Sequence, residues 1–386
     1  MRILIDVRLL SRGKTSGIEE YARSLIDALL HEGNNELGLF YNGLKKAPLP
    51  ERWLREPSVT VIDRRMPNKL FDLLSRLPAG GQGTLRVPDI ERDFLPDVVF
   101  SPHFNILPRT RAPRVITFHD LSFLHRPDFF RARHRLWHWL QDYRRQALRA
   151  DRIVAVSEFT KSDLVDLLGI PAERVSVVHS GVNDLFCRQD EAKVAEFRRN
   201  RDLKRPFLLY LGTIEPRKNL RAVIRAFNLL KREEGFAGLE LVLAGPRGWL
   251  YGEILEEAQN SAFRDDIRFF GQVRNEERPL LYAAASLFVY PSFFEGFGFP
   301  PLEAQACGTP VVVSNRTSLP EVFSPLPGGA SLADPWRVEE IADAAHSLLS
   351  DPAARNEAIR KGFENAERFR WPRVAGEMRK IFSELV

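Results

Sequence analysis

Two glutamates eight positions apart, Glu295 and Glu303, have the residue type and spacing that most suggest chemistry in this chain. They lie in the stretch FFEGFGFPPLEAQACGT, where Pro300 and Pro301 predict the first turn of a helix after a strand and a loop. We therefore expect Glu295 on the loop and Glu303 in the first helical turn, approaching one pocket from two directions. Carboxylates accept hydrogen bonds from vicinal hydroxyls, so the pair indicates a sugar or ribose site. The alternative is that Glu303 only complements the helix dipole and Glu295 is a solvated loop residue.

A second group of candidate residues lies in YLGTIEPRKNL, at 210–220, where Arg217 and Lys218 follow a predicted strand. Two cations at the mouth of a sheet suit a diphosphate, because arginine binds it as a fork and lysine as a point charge. The alternative is that they are exposed charges at the start of a helix. Beside the glutamates, Gly296 and Gly298 would let backbone amides approach a ligand, and the N-terminus of the helix there favours a phosphate.

Three residues of the first half are candidates for the same chemistry. Gly17 begins a predicted helix in SRGKTSGIEEYARSL, which lacks the GxGxxG spacing of a dinucleotide fingerprint but could still present amides to a phosphate or leave room for a sugar. His119 and Asp120 end the predicted strand VITFHD, where polar side chains face the ligand crevice of such sheets. A lone histidine is more often structural than catalytic, and the position at the end of a strand is what favours a functional role.

Strands and helices alternate along the chain, and this pattern predicts the elements that hold the candidate residues. The runs that predict buried strands are RILIDV, ELGLFYN, VTVID, DVVFSP, RVITFHD, RIVAVS, RVSVVHS, FLLYLGT, LELVLAG, IRFFGQ, LFVYPS and TPVVVSN. Helical spacing between them, as in 18–33, indicates βαβ units and parallel sheets. The charged stretch 184–206 has few strand signals and predicts a linker. We expect two doubly wound α/β domains, 1–183 and 207–371, with ligand at the carboxyl ends of their strands.

Composition and charge limit the functional classes. The chain has 386 residues, 44% of them hydrophobic and 28% charged. No apolar run approaches the roughly 18 residues of a membrane span, and MRILIDVRLL is too short and too charged for a signal peptide, so we expect a cytoplasmic location. Cys187 and Cys307 lie far apart without a CxxC or Cys/His cluster, which favours neither a disulfide framework nor a zinc site. Residues 1–182 carry 28 Lys and Arg against 22 Asp and Glu, which indicates an anionic partner, and no nucleic-acid-binding motif is found.

Taken in order, the segments of this chain resemble the retaining glycosyltransferases of family four, which have the GT-B fold of two Rossmann-like domains facing a central cleft. The resemblance runs over nearly the whole chain and rests on SGIEEYARSL, ITFHDLSF, AVSEFTKSDL, VVHSGVN, YLGTIEPRKNL, LVLAGP, FFEGFGFPPLEAQACGTPVV and RWPRVAGEM. Each segment alone is weak evidence, whereas the ordered set is specific. The resemblance implies an acceptor-side first domain, a second domain that binds a nucleotide sugar, and a final helix, 372–386, that packs back on the first domain.

The resemblance also implies a role for each candidate residue. The two glutamates match the family's EX7E motif, in which Glu295 lies by the hydroxyls of the donor sugar and Glu303 binds the nucleotide ribose. Lys218 matches the lysine that holds the donor diphosphate, and His119 matches a residue beside the transferred sugar. The remaining expected contacts are Asp120 on the acceptor side, the N-terminal loop at Gly17, and the backbone amides of Phe297 and Gly298.

One departure from the family pattern concerns the diphosphate. Many members have Gly-Arg where this chain has Gly212 and Thr213, which leaves Thr213 at a donor-binding position and Arg217 as the candidate replacement for the arginine. The GTxEPRKN variant resembles bacterial mannosyltransferases of surface-polysaccharide assembly, which implies transfer of mannose from GDP-mannose to a lipid-linked oligosaccharide such as an O-antigen intermediate. A UDP-sugar donor, or a sugar-nucleotide epimerase on the same fold, is the alternative. The chain has no DxD sequence, which fits the family's metal-independent habit, so we expect no metal and no cofactor.

The segment 126–150 offers a use for the basic excess of the first half. It contains seven arginines together with Phe129, Phe130, Trp137, Trp139 and Tyr143, which is the composition of an interfacial helix. Because acceptors in the resembling family are often lipid-linked, we expect peripheral contact with an anionic membrane surface through this segment. The alternative is that Leu136, Leu140, Tyr143 and Ala147 form an ordinary core face.

Overall fold

The structure is a computed structural model that describes residues 1–12, 17–42, 49–76 and 88–386. It divides into two units, each with its own sheet. The first unit comprises Met1–Leu121, Arg133–Gly181 and Trp371–Val386, and the second comprises Ser122–Ala132 and Val182–Arg370. The two-domain α/β architecture expected from the sequence is thus present. Two segments differ from the prediction, because Ser122–Ala132, predicted within the first domain, and 184–206, predicted as a linker, both belong to the second unit.

The strands form where the sequence has short apolar runs, and most of their residues are buried. Those of the first unit are β1 (Arg2–Asp6), β2 (Glu36–Tyr41), β3 (Val59–Asp63), β4 (Val98–Ser101), β5 (Arg114–Phe118), β6 (Arg152–Ala155) and β7 (Val175–Val177). Those of the second unit are β8 (Phe207–Leu211), β9 (Glu240–Ala244), β10 (Ile267–Gly271), β11 (Leu287–Tyr290), β12 (Val311–Ser314) and β13 (Ser331–Ala333). Every predicted run is a strand. Only the short β13, whose sequence SLA is not an apolar run, is absent from the prediction.

Helices connect the strands, as βαβ units require. In chain order they are α1 (Gly17–His31), α2 (Glu51–Leu54), α3 (Asn68–Leu74), α4 (Ser122–His125), α5 (Ala132–Leu140), α6 (Tyr143–Arg149), α7 (Glu158–Leu168), α8 (Glu191–Asn200), α9 (Leu220–Leu230), α10 (Gly252–Gln259), α11 (Arg278–Ala284), α12 (Phe299–Ala306), α13 (Leu319–Phe323), α14 (Val338–Ser350), α15 (Pro352–Glu367) and α16 (Trp371–Ser383). Short 3-10 helices also occur, of which Pro127–Phe129 and Pro216–Lys218 matter below. In the described part of the chain, no helix has the length and apolar character needed to cross a membrane.

Both sheets are parallel and doubly wound. Within the described residues the first sheet has the order β3-β2-β1-β4-β5-β6-β7, and the second has the order β10-β9-β8-β11-β12-β13. The order reverses between β1 and β4 in the first unit and between β8 and β11 in the second. In such sheets ligands bind outside the carboxyl ends of the strands at the point of reversal. The loops that follow β8 and β11 are therefore where the fold of the second unit favours a site.

Local sequence signals fix the helix ends that matter for the sheets. Helix α1 is followed by Gly33, whose φ of +72° is the left-handed conformation that glycine adopts without strain. Helix α7 begins with a side-chain cap, because Ser157 Oγ accepts a hydrogen bond from the backbone N–H of Thr160 at 3.1 Å. It ends at Gly169, again with positive φ. The final helix α16 belongs to the first unit, where it packs against α1.

The predicted linker 184–206 is part of the second unit rather than a tether. It contains α8, which packs against α11, and the ring of Phe197 is buried. Arg198 on the same helix donates from Nη1 to the carbonyl oxygen of Ala284 at 2.9 Å. The prediction of a linker is therefore wrong. The segment has a charged sequence, but a buried aromatic side chain and an arginine bonded to α11 hold α8 against the second unit.

The segment 126–150 is not one continuous helix. It divides into the 3-10 helix Pro127–Phe129, then α5 and α6, with Asp142 between the last two in the left-handed conformation at φ +48°. No residue of α5 is buried, so the alternative of an ordinary core face is wrong for Leu136 and Leu140, both of which are exposed. It holds for Ala147 on α6, which is buried.

Candidate active site

The loops after β8 and β11 bring together two of the predicted site residues. Lys218 lies in the 3-10 helix that follows β8, and Glu295 lies in the loop between β11 and α12. Lys218 Nζ is 2.6 Å from Glu295 Oε1, and both residues are only 7% exposed. The two residues are close because they follow β8 and β11, which are hydrogen-bonded neighbours in the sheet although some 80 residues separate these strands in sequence.

Asn219 holds the first of these loops in place. Its φ of +57° is left-handed, a conformation that asparagine tolerates better than most residues, and it turns the chain from the 3-10 helix into α9. Its Nδ2 donates to the carbonyl oxygens of Pro291 at 3.2 Å and Pro335 at 2.7 Å. The backbone N–H of Phe293 donates to the carbonyl oxygen of Arg217 at 3.0 Å. The loops after β8 and β11 are thus hydrogen-bonded to each other on both sides of Lys218.

Arg217 is engaged with protein carboxylates. Its Nη2 donates to Glu215 Oε1 at 2.9 Å, while Nη1 donates to the carbonyl oxygen of Phe294 at 2.7 Å and lies 3.2 Å from Glu295 Oε2. Glu295 therefore has one cation on each carboxylate oxygen. Its own backbone is fixed as well, since Thr317 Oγ1 accepts from its N–H at 3.1 Å.

Burial and pairing act in opposite directions on the charges of this cluster. Burial raises the pKa of Glu295, but the charges of Lys218 and Arg217 outweigh it and lower the pKa to about 2. Burial lowers the pKa of Lys218, and the positive charge of Arg217 lowers it further, against the attraction of Glu295 and Glu215. The two directions are compatible because Glu295 faces two cations, whereas Lys218 shares its carboxylate with a second cation. Lys218 is thus a cation held in a site that favours the arrival of more negative charge.

Tyr290 is a member of this cluster that the sequence reasoning missed. It is the last residue of β11, and its hydroxyl lies 2.5 Å from Lys218 Nζ. Its ring stacks on Tyr210 with centroids 5.8 Å apart, and Lys218 Nζ lies 4.9 Å from the centroid of the Tyr290 ring. The sequence predicted that β11 leads into the loop of Glu295. A tyrosine at the last position of that strand could therefore have been identified as a member of the site.

Glu303 lies on the predicted helix, α12, but as its fifth residue rather than in its first turn, and it is 1% exposed. Its Oε2 accepts from the Tyr282 hydroxyl at 2.7 Å and from Arg278 Nη2. The carboxylates of Glu295 and Glu303 therefore have separate partners in the structure. Arg278 begins α11, some 25 positions before Glu303, and its guanidinium also lies 5.0 Å from the ring centroid of Phe186. Neither Arg278 nor Tyr282 belongs to a pattern that the sequence reasoning considered.

The predicted backbone contacts lie where α12 begins. Gly298 precedes the helix with φ +102°, and a Cβ there would be 2.6 Å from Leu319 Cδ2, so the position requires glycine. Phe297 points its ring inward, edge-on to the rings of Phe299 and Phe369. Its contribution to a ligand would therefore come from the backbone. The first turn of α12 contains Pro300 and Pro301, as expected from the sequence.

Thr213 follows Gly212 in the turn after β8. Its carbonyl oxygen accepts from the Tyr210 hydroxyl at 2.9 Å, and its side chain is half-buried. The turn is tightly packed against the end of β9, because a Cβ at Gly245 would be 2.0 Å from the carbonyl oxygen of Gly212. Thr213 thus offers a hydroxyl group and no cation in the turn that follows β8.

The remaining candidates lie in the first unit. His119 follows β5 and is buried, with Nε2 2.8 Å from the carbonyl oxygen of Pro102 and its ring edge-on to Tyr21. A carbonyl oxygen only accepts, so this contact assigns the proton to Nε2 and leaves the lone pair on Nδ1. Burial lowers the pKa of His119, against the Pro102 contact and the charge of Asp120. Asp120 is half-buried, and Gly17 is the exposed first residue of α1.

Two family models match the chain in succession. The model described as Glycosyltransferase Family 4 matches residues 15–186, and the model described as Glycosyl transferases group 1 matches residues 192–365. Together they span both units and include every predicted site residue.

Similar proteins were found by sequence and by structure. An O-antigen chain mannosyltransferase B of Escherichia coli is 36% identical over 282 residues, which cover 72% of this chain and 72% of that protein. A serotype-specific mannosyltransferase WbdA of Escherichia coli is 32% identical over 232 residues, 59% of this chain, but the match covers only 28% of that longer protein. A sucrose-phosphate synthase from Thermosynechococcus elongatus has a similar fold, with a TM-score of 0.78 at 20% identity over 100% of this chain and 98% of that chain.

Proposed function

This chain belongs to the family-four glycosyltransferases, with the GT-B fold, and we propose that it transfers mannose from GDP-mannose to an oligosaccharide acceptor in surface-polysaccharide synthesis. The observation that carries the proposal is the Lys218–Glu295 pair at the reversal of the second sheet. The identity to an O-antigen mannosyltransferase supports mannose as the transferred sugar. A lipid-linked oligosaccharide is the proposed form of the acceptor.

In the proposed mechanism the donor separates the Lys218–Glu295 pair. The diphosphate takes the place of Glu295 as the partner of Lys218 Nζ, and the released carboxylate accepts hydrogen bonds from hydroxyls of the sugar. Arg217 keeps Glu295 ionised and oriented while this exchange takes place, which is how it would compensate for the absence of an arginine at Thr213. Negative charge that grows on the leaving diphosphate is stabilised by Lys218 and by the amides of Phe297 and Gly298 at the start of α12.

The other candidates complete the donor and acceptor contacts in this proposal. Glu303, buried and held by Arg278 and Tyr282, is the proposed partner of the nucleotide ribose. His119 is neutral at physiological pH because its pKa is lowered, so it would contact the sugar without adding charge. Asp120 and the loop at Gly17 are the proposed acceptor-side and donor-side contacts of the first unit. Retention of anomeric configuration is proposed to follow from attack on the same face, with the leaving phosphate receiving the acceptor proton.

The donor is tested by thermal shift of the purified protein with GDP, UDP, ADP and their common sugar conjugates, with a chelator present. A ligand that binds only the folded state raises Tm by mass action. Stabilisation by GDP and GDP-mannose alone supports the proposal. Stabilisation by UDP species alone replaces the donor but leaves the family assignment intact. A requirement for added Mg²⁺ or Mn²⁺ contradicts the proposed metal independence.

A cytoplasmic location at the inner face of the cell membrane is part of the proposal. Helix α5 supports it, since Leu136 and Trp139 are exposed on a helix that also carries Arg133 and Arg135. Exposed apolar side chains among arginines suit the interface of an anionic bilayer. Flotation with vesicles containing phosphatidylglycerol is the test, with L136S/W139S as the variant expected to stay unbound. Equal flotation of the wild type and this variant would contradict the role of α5.

A further inference from the structure

A cavity of about 720 Å³ opens in the second unit on residues that the proposed transfer site does not use. Its walls are the segment Arg126–Phe129, the first turns of α9 and α10, and the loop that leads into α14. The volume is in the range of sites for small organic ligands. It therefore has room for one or two sugar rings.

An aromatic platform forms one side of the cavity. Trp336 is 62% exposed, yet its ring is held by Phe293, with centroids 4.2 Å apart. Phe293 stacks in turn on Phe129 at 5.8 Å, and Trp249 Nε1 donates to the carbonyl oxygen of Phe129, which fixes the segment to the second unit. The Arg126 guanidinium lies 5.8 Å from the Trp336 centroid. A large indole ring is thus exposed to solvent in a fixed position, which costs hydrophobic free energy unless something covers it.

The charged groups around the platform compensate one another. Arg126 forms two hydrogen bonds with Asp128, at 2.9 and 2.7 Å. Arg225 is bonded in the same way to Glu257, and Arg221 is bonded to Glu253 and Glu257. Each guanidinium that lines the cavity therefore already has a carboxylate partner. An anionic ligand would have to break these pairs, whereas hydroxyl groups can add to them as donors and acceptors without removing charge.

We propose that this cavity, the Trp336 subsite, binds a neutral hexose unit of a glycan. A pyranose has an apolar face of C–H groups, which suits the negative face of an indole, and hydroxyls at its edge, which suit the paired carboxylates and guanidinium groups. The ligand class rests on the proposed function, because a transferase that extends an oligosaccharide has a glycan as acceptor. The subsite holds a sugar unit of that glycan away from the reacting end.

The subsite is connected to the transfer site through the loops that form both. Phe293, which supports Trp336, lies two residues before Glu295, and its N–H is bonded to the carbonyl oxygen of Arg217. Asn219, which lines the cavity, directly follows Lys218. A glycan bound on Trp336 therefore lies against the loops that position the cations and carboxylate of the transfer site.

The test measures binding of an α-linked mannose tetrasaccharide to the full-length protein without donor, by saturation-transfer NMR and by calorimetric titration. Trp336→Ala is expected to weaken binding about tenfold or more, and Trp336→Phe to keep most of it. Trp139→Ala is the matched control, because Trp139 is also exposed (70%) but lies in the first unit. Because Trp336 is exposed, its loss should leave Tm within a few degrees of the wild type.

Several results would overturn the subsite. One is that the tetrasaccharide does not bind to the wild type. Another is that Trp336→Ala and Trp139→Ala lose tetrasaccharide affinity equally. A third is that GDP no longer stabilises Trp336→Ala, which would place the cavity in the donor site. A change of sedimentation coefficient in Trp336→Ala would show that a second copy of the chain covers the ring, and would also overturn it. If the tetrasaccharide binds through Trp336 while no nucleotide stabilises the protein, the subsite stands and the proposed donor chemistry fails.

Discussion

Replacing Lys218 with alanine tests the structure and the proposed chemistry of the transfer site together. The change removes the 2.6 Å contact with Glu295 and the 2.5 Å contact with Tyr290, and leaves a carboxylate that is 7% exposed with Arg217 at 3.2 Å. Removing one partner of a buried ion pair costs about 3 to 5 kcal/mol, and the remaining cation puts this case near 3 kcal/mol. Loss of a group that stabilises charge in the transition state lowers kcat/KM by about 10²- to 10³-fold.

The two effects are separated by a double-mutant cycle. Urea unfolding is measured for the wild type, Lys218→Ala, Glu295→Gln and the double variant, with transfer activity measured on the same preparations. The double variant should be more stable than Lys218→Ala, because Glu295→Gln removes the buried negative charge that has lost Lys218 as a partner. The coupling free energy should be about 1 to 3 kcal/mol. Activity should stay low in all three variants. Full stability and full activity of Lys218→Ala would refute both the pairing and the diphosphate role.

Three further outcomes follow from other contacts. The pKa of Glu295 is about 2 in the folded protein, below the ordinary 4.5, so its ionisation stabilises the fold above pH 4.5 and this stabilisation is lost as pH falls towards 2. Urea unfolding across this pH range should show a smaller loss of stability in Arg217→Ala than in the wild type. Gly245→Ala should destabilise the protein by about 3 kcal/mol or more, because the residue has φ +127° and its Cβ would lie 2.0 Å from a backbone oxygen. Gly252→Ala, with open space around the residue, should be near neutral. Equal Tm values for the two variants would contradict the packing. Arg278→Ala should cost about 3 kcal/mol, because it removes the guanidinium that pairs with the buried carboxylate of Glu303. Arg278→Lys should restore part of the lost stability. An unchanged Tm in Arg278→Ala would show that the ion pair adds nothing to stability.

The strands and their order of appearance could be predicted because buried parallel strands leave continuous apolar runs in the sequence. FLLYLGT and LFVYPS became β8 and β11 with their polar loops where expected. β13 was not predicted, because an edge strand of three residues needs no apolar run. The N-terminal boundary of the second unit was not predicted for a different reason, since only a few side chains within a charged sequence hold α8 in place.

The residues of the candidate site were proposed one by one from the sequence, whereas the contacts between them were not. Lys218 and Glu295 were each identified from their loops, yet their direct bond depends on β8 and β11 being neighbours, which spacing along the chain does not encode. The pairing of Glu303 with Arg278 depends in the same way on how α11 and α12 pack. The break at Asp142 in the expected interfacial helix is a single residue in the left-handed conformation, for which the sequence has no clear signal.

The measurement that tests the central claim most directly is sugar transfer by the purified protein from radiolabelled GDP-mannose to a mannose-terminated oligosaccharide. We expect labelled product with the wild type, none from radiolabelled UDP-glucose, and a loss of about 10²-fold or more in Lys218→Ala. Labelled product from UDP-glucose but not from GDP-mannose, or equal transfer by the wild type and Lys218→Ala, would contradict the central claim.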